Sequence, residues 1–242
     1  MREGSELGFA ELCITNHHDW GSVDDGTYNF ALREESWKEL FDDIIQANEN
    51  YDLKIKAGIE LGYFQRFNKE LHALVNRWPF DYVVGSIHFV NDIVIADQNR
   101  LVHPGNLVQW YRDYYMAVIE MLDNMDFDCL AHIDIVKKTA PPLDIRHYSD
   151  LIDDMIALMK KRDIGFELNT MGWWYDCKEQ FPSVPILQKL CKAGIRKVTI
   201  GSDCHTVDKI DYKLKEGLEL LKRNGFREIC TFTRRKPEYH PL

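Results

Sequence analysis

Short apolar stretches alternate with amphipathic stretches along most of this chain, and this alternation constrains the fold more than any other feature. Between the apolar stretches, hydrophobic residues recur at spacings of three and four, the periodicity of a helix with one buried face. Strand followed by helix, repeated about seven times, predicts parallel strands joined by crossover helices. The predicted strands are residues 11–15, 55–60, 82–87, 128–131, 165–168, 197–201 and 227–232.

The predicted strands are short and continuously apolar, which is typical of a sheet covered on both faces. Hydrophobic residues make up 45% of the 242 residues, enough for a sizeable core. No composition break or low-complexity linker divides residues 1–242, so we expect a single α/β domain. Two stretches between elements, 21–29 and 91–105, are long enough to shape a site.

Charge and composition disfavour several classes of partner. A net charge of −9 and a pI near 5.5 argue against a nucleic-acid or anionic-membrane surface, although a local pocket for a small anion is still allowed. No apolar run approaches the roughly 18 to 20 residues that a membrane span needs, and no secretory signal is visible. The six cysteines contain no CxxC, so we expect a reducing, cytoplasmic setting without disulfides.

Ionisable side chains follow six consecutive predicted strands. Because the carboxyl ends of parallel strands open on one face of a barrel, these side chains should converge there. Imidazoles and carboxylates without paired thiolates suit zinc, manganese or iron. The sequence therefore predicts a metal centre built from His17, Glu60, His88, His132, Asp203 and His205.

Each of these residues taken singly has an ordinary structural interpretation. A lone histidine is more often packed in a core or solvated at a surface, and we place His18, His72, His103, His147 and His240 in that class. Glu60 alone could be a capping or ion-paired carboxylate. Glu167 could orient a ligand rather than bind the metal itself. Six strand ends in succession are nevertheless hard to ascribe to packing.

The ordered motifs resemble those of the PHP (polymerase and histidinol phosphatase) superfamily, and most of all its histidinol-phosphate phosphatases. The resemblance runs from about Glu6 to the last strand and rests on "ITNHHD", "GIELGY", "GSIHF", "AHIDIVKK", "ELNTMG" and "GSDCHT". It implies a distorted (β/α)7 barrel with two or three divalent metal ions that hydrolyses a phosphomonoester. The implied substrate is L-histidinol phosphate, and the implied pathway is histidine biosynthesis.

The resemblance also implies a role for each matching residue. His17 and His205 become ligands of one metal, and Glu60 bridges the other two. His88 and His132 complete one of these two positions, and Asp203 serves the other.

The same resemblance gives His205 and Asp203 catalytic roles. The proton for the leaving alkoxide would come from His205 or from a metal-bound water. The substrate phosphate needs a basic contact. Lys137 and Lys138 are candidates, although surface lysines are commonly just solvated.

Asn169 and Lys178 are the other expected substrate-binding residues. They lie in or beside "NTMGWWYDCK", where relatives commonly show "NTSG" and then an arginine. The resemblance therefore supports the class of reaction, whereas the identity of the phosphate ester has to be established separately.

Relatives begin with a strand that carries an H-x-H pair, and this pair is absent from the sequence. We therefore expect a (β/α)7 barrel lacking its first βα unit, with an unpaired strand edge beside residues 11–15. Either the recorded start is wrong or shortened, which we favour, or the chain is natural and impaired. In both cases we expect this chain to be a weak or inactive catalyst.

Two other functions stay open. An amidohydrolase-type metallohydrolase would also gather His and Asp at strand ends, although such barrels usually place a Lys or Glu bridge on the fourth strand. A PHP-like module that binds metal or partners without turnover is the second alternative. A proofreading nuclease fits poorly with the acidic charge.

Overall fold

A computed structural model describes residues 2–19, 32–95, 97 and 105–242 of the chain. Six strands form a curled, all-parallel sheet in the order β1-β2-β3-β6-β7-β8. Their bounds are β1 Glu11–Asp19, β2 Lys54–Gly62, β3 Tyr82–Ser86, β6 Cys129–Leu130, β7 Gly165–Asn169 and β8 Val198–Gly201. Two short strands, β4 Phe89–Val90 and β5 Ile93–Val94, form a separate antiparallel pair. The parallel sheet confirms the predicted α/β class.

Helices connect the strands, as the periodicity predicts. They are α1 Arg2–Glu6, α2 Glu34–Asn50, α3 Asn68–Arg77, α4 Leu107–Asn124, α5 Ser149–Arg162, α6 Val184–Ala193 and α7 Leu214–Arg223. Single turns of 3-10 helix follow several strands, and two of them, Ile135–Lys138 and Met171–Trp173, lie directly beyond β6 and β7. The first of these turns carries the candidate substrate-binding residues Lys137 and Lys138.

The prediction that β1 ends at Thr15 was wrong. The strand continues to Asp19, because residues 16–19 pair in register with Ile59, Glu60, Leu61 and Gly62 of β2. Their polar side chains are typical of a loop, but the fully buried neighbouring strand keeps the parallel ladder in place. The two histidines therefore lie within a strand rather than in the loop after it.

The seventh predicted strand forms but does not join the parallel sheet. It is β9, Glu228–Thr233, and it pairs antiparallel with β10, Lys236–Pro241. The hairpin is fastened below the sheet by Arg235, whose guanidinium bonds to the carboxylates of Asp126 and Asp128. Among the residues that the structure describes, the sheet consequently ends at β1 on one side and at β8 on the other.

The main core lies between the sheet and its helices. Side chains of β3 alternate as a strand covered on both faces requires. Val83 packs into the large helix-side core, whereas Tyr82 and Val84 pack on the inner face against Phe232 of the hairpin. The hairpin thus fills the inner space near the amino ends of the strands and leaves the carboxyl ends accessible.

Several smaller predictions can be compared with the structure. All six cysteines are free thiols, as expected. Within the described ranges, no helix is long and apolar enough to cross a bilayer. The predicted loop at 21–29 lies outside the described residues, as do His103 and part of the loop at 91–105.

Candidate metal centre

The register of the first two strands creates the centre of the site. His17 of β1 lies opposite Glu60 of β2, and Asp19 lies opposite Gly62. His88 and His132 follow β3 and β6 by two residues each, at the same end of the sheet. Because all these strands are parallel, their carboxyl ends place the side chains at one rim.

Glu60, His88 and His132 form the tightest cluster. The Oε1 atom of Glu60 lies 3.0 Å from Nε2 of His88 and 2.8 Å from Nε2 of His132, and the two nitrogens are 3.4 Å apart. Two ligand atoms about 2.1 Å from one tetrahedral zinc ion would lie about 3.4 Å apart. All three residues are buried, so the donor set fits a single divalent cation.

A second pair of imidazoles lies beside this cluster. Nε2 of His17 is 3.3 Å from Nε2 of His205, and Nδ1 of His17 is 3.5 Å from Oε2 of Glu60. Glu60 therefore presents one carboxylate oxygen to His88 and His132 and the other to His17. Among the residues that the structure describes, two groups could each hold a cation: Glu60 with His88 and His132, and His17 with Asp19 and His88.

Buried charges shift the pKa values of the cluster. Burial alone would raise the pKa of Glu60, but His17, His132 and His88 hold it well below its ordinary value. Burial alone would lower the pKa of His88, yet Asp19 and Glu60 outweigh it and raise that pKa to about 10. Without a cation, protons on His88 and His17, whose pKa values are both raised, help to balance the carboxylates. A divalent ion would replace those protons, since ligands bind metals in the deprotonated form.

Asp203 and Asn169 meet at the ends of the last two sheet strands. Asn169 is fully buried and its amide nitrogen donates to Oε1 of Glu167 and to Oδ2 of Asp203. Its amide oxygen accepts the backbone N–H of Met171. The Asn169 side chain is thus occupied within the protein and positions the Asp203 carboxylate. Asp203 itself has a left-handed backbone conformation, with φ of 48°.

The lysines predicted to bind substrate differ in their surroundings. The Lys137 ammonium is buried and donates to Asp134, Glu179 and the carbonyl of Gln180, none of which is a candidate ligand. Lys178 is exposed and donates to the carbonyl of Trp174. A substrate-binding role for either lysine stays a prediction.

Lys138, in contrast, is close enough to the candidate ligands for their charges to act on its ammonium. Its ammonium lies 4.1 Å from the centre of the Tyr175 ring. Burial lowers the pKa of Lys138, while the charges of Asp203 and Glu60 act in the opposite direction. The lysine is therefore within the field of the candidate ligands.

One cavity of about 620 Å³ connects the cluster with the open side of the sheet. His17, Glu60, His132, Asp203 and His205 line one end of it. Its walls include residues 12–16 of β1, residues 199–201 of β8 and residues 229–232 of β9. Five of the six predicted ligands thus line one cavity, and His88 lies behind them.

The histidines set aside in the sequence and described by the structure belong to neither of the two groups that could hold a cation. His18 is buried with its ring 5.9 Å from that of Trp37, and burial lowers its pKa to about 4. His72 binds the carbonyl of Asn124, and His240 contacts Thr231. Sequence reasoning missed Asp19, whose Oδ1 atom lies 2.7 Å from Nδ1 of His88. The signal was its spacing of two from His17, which puts both side chains on one face of a strand.

One family model and several known proteins are similar to this chain. A family model described as the PHP domain matches residues 1–171. The histidinol-phosphatase of Lactococcus lactis subsp. lactis is 26% identical over 240 residues, covering 96% of this chain and 87% of the relative. A probable histidinol-phosphatase of Clostridium acetobutylicum is also 26% identical, covering 94% of this chain and 87% of its own length.

Two solved structures share the fold. Histidinol phosphate phosphatase from Lactococcus lactis, complexed with zinc, L-histidinol and phosphate, has a TM-score of 0.83 at 23% identity, covering 98% of this chain and 90% of that one. A putative histidinol phosphatase from Listeria monocytogenes has a TM-score of 0.71 at 20% identity, covering 89% and 91% respectively.

Glu167 gives the site a testable pH dependence. Burial, followed by Asp203 and Glu60, raises the pKa of Glu167 from 4.5 to about 8, so folding favours its protonated form. This contribution to stability is fully present below pH 4.5 and is lost as the pH rises through about 8. In the metal-free unmodified protein, the unfolding free energy should therefore fall between pH 5 and 8.5. In Glu167→Gln this fall should be smaller by a few kcal/mol, because one pKa unit corresponds to about 1.4 kcal/mol. Denaturant unfolding with a chelator present measures this, and equal losses in both proteins would contradict it.

Proposed function

Because the chain belongs to the PHP domain family, we propose that it is a metal-dependent phosphomonoesterase whose substrate is L-histidinol phosphate. The observation that carries the proposal is the convergence of Glu60, His88 and His132 within 3.4 Å of one another. Two relatives that match nearly the whole chain have histidinol-phosphatase names, which supports the choice of substrate. Six free thiols fit a reducing compartment, and we place the protein in the cytoplasm.

The chain's own donors divide into two metal positions in this proposal. Glu60, His88 and His132 would hold one ion, with zinc, manganese or iron as the candidates. His17, His205 and Asp203 would serve the neighbouring space, with Glu60 shared between the two. Divalent ions bound there would supply Lewis acidity toward the phosphate and toward water.

One lysine contacts the substrate in this proposal. We assign Lys138 to the phosphate, because its ammonium is in the field of Asp203 and Glu60 whereas that of Lys137 is fully bonded elsewhere. His205 keeps its place in the metal position beside His17, because its Nε2 atom lies 3.3 Å from that of His17 and its Nδ1 atom lies 3.2 Å from the backbone carbonyl of Asp203.

We further propose that the open side of the sheet is the place of a first βα unit, which would complete a (β/α)7 barrel. The free edge of β1 and the edge of β8 both line the 620 Å³ cavity. A strand between them would run beside residues 12–16 and end near His17 and His205. Imidazoles on such a strand would complete the ligands around these two residues.

The proposed activity is tested by phosphate release from L-histidinol phosphate with added Mn²⁺ or Zn²⁺. Release should depend on the cation and should fall by more than about 100-fold in Glu60→Gln, since even residues that only orient a metal ligand are commonly worth 10- to 100-fold. His240→Ala, an exposed histidine on β10, is the control and should retain the rate. Metal binding without turnover would contradict the proposal and favour a silent module. Cleavage of amide substrates instead would favour the amidohydrolase alternative.

The assignment of the lysines predicts two different defects. Lys138→Met should raise KM for the ester by about 10-fold or more, because a charge-assisted hydrogen bond contributes about 1.5–3 kcal/mol. Lys137→Met should leave KM unchanged but lower the unfolding free energy by about 3 kcal/mol, because it leaves the buried Asp134 carboxylate without its paired ammonium. Steady-state kinetics and denaturant unfolding separate the two. A raised KM in Lys137→Met alone would reverse the assignment.

If a first βα unit belongs between the edges of β1 and β8, adding such a unit should increase metal binding. Extending the chain before residue 1 with a βα unit whose strand ends in H-x-H should add about one bound metal ion per chain and raise the Tm. The matched extension with alanine in place of both histidines should raise the Tm without adding metal. Elemental analysis and thermal unfolding provide the two measurements. Equal metal content in both extended chains would contradict the placement.

A further inference from the structure

Asp19 is a buried carboxylate at the centre of the site to which neither the sequence motifs nor the proposed ligand set gives a role. It is the last residue of β1 and only 1% exposed. An ionised group buried to this extent needs specific partners, because removing it from water costs several kcal/mol. Its partners are two of the candidate ligands, His88 and His17.

The contact with His88 fixes the orientation of that ring. Oδ1 of Asp19 lies 2.7 Å from Nδ1 of His88, and an ionised carboxylate can only accept, so Nδ1 carries the hydrogen. In the neutral ring that metal binding would require, Nε2 then carries the lone pair. This atom faces Oε1 of Glu60 at 3.0 Å and Nε2 of His132 at 3.4 Å. Asp19 thus selects the tautomer that a metal ligand at this position requires.

The second oxygen of Asp19 faces the other imidazole. Oδ2 lies 3.6 Å from Nδ1 of His17, and Nε2 of the same ring lies 3.3 Å from Nε2 of His205. The contact is longer than that with His88, because Nδ1 of His17 lies between Oδ2 of Asp19 at 3.6 Å and Oε2 of Glu60 at 3.5 Å, while Nε2 is directed toward a second candidate ligand. One carboxylate therefore lies behind two imidazoles that belong to different metal positions.

The adjacent strand is shaped to admit this carboxylate. Gly62 is the register partner of Asp19, and a Cβ atom built on Gly62 would lie 1.7 Å from Oδ1 of Asp19. The space that any other side chain would occupy at position 62 is filled by the Asp19 carboxylate. The second glycine in "GIELGY", Gly62, is thus explained by Asp19 rather than by a turn.

We propose that Asp19 is a positioning residue that orients His88 and His17 together, so that one carboxylate prepares two metal positions. The inference rests on the proposed metal centre. It adds a residue that acts through the ligands, and it gives Gly62 a defined role in holding that residue in place.

Cobalt(II) binding by the whole chain tests this proposal, since the visible spectrum of the bound ion reports its ligand geometry. Asp19→Asn has the same shape, but its amide presents a donor to one of the two Nδ1 atoms and opposes the required tautomer. The dissociation constant for Co²⁺ should rise by about 10- to 100-fold, with a changed spectrum. Gly62→Ala should give the same defect, because the added Cβ displaces the Asp19 carboxylate.

Gly58→Ala is the matched control in the same strand. Its Cβ would lie 2.7 Å from Cys13 Sγ and 2.7 Å from Thr15 Cγ2, so it is also crowded but does not contact Asp19. It should destabilise the fold while leaving cobalt affinity and spectrum unchanged. Unaltered cobalt binding in Asp19→Asn, with circular dichroism confirming that both proteins are folded, would overturn the role of Asp19 alone. Absence of cobalt binding in the unmodified chain would overturn the metal centre and this inference together.

Discussion

The structure depends on the burial of the Glu60 carboxylate among imidazoles. A carboxylate that is 4% exposed is tolerated only if positive charge or a metal ion compensates for its lost hydration. His88 and His132 approach one of its oxygens, and His17 lies 3.5 Å from the other. Since these histidines come from β1 and from the segments that follow β3 and β6, the charge balance of this one side chain depends on the parallel pairing of these strands.

The pairing of the strands in the sheet therefore determines the geometry of the site. The register of β1 on β2 puts His17 beside Glu60 and Asp19 beside a glycine, and a slip of one residue would turn both side chains to the opposite face. The hairpin of β9 and β10 fills the inner space below, so the cavity opens toward the carboxyl ends and toward the free edge of β1. Within the described part of the chain, the outer side of β1 has no partner strand, and residues of this strand also line the cavity that contains the ligands.

Much of this arrangement could be predicted because strand ends in a parallel sheet converge whatever their sequence separation. Three features could not be predicted from the sequence alone. β1 continues through His17 to Asp19 because a buried neighbour holds the ladder, which the polar residues themselves do not indicate. Asp19 resembles an ordinary surface carboxylate until its glycine partner is known. The choice between Lys137 and Lys138 depends on a 3-10 turn that follows Asp134, whose φ is 67°, and no periodicity predicts such a turn.

The central claim is that Glu60, His88 and His132 together bind one divalent cation. Anomalous diffraction at the zinc absorption edge, from crystals grown with Zn²⁺, tests it most directly. The account predicts an anomalous peak about 2.0–2.2 Å from Oε1 of Glu60 and from Nε2 of both histidines. Zinc bound elsewhere, with these three side chains still bonded only to one another, would contradict it.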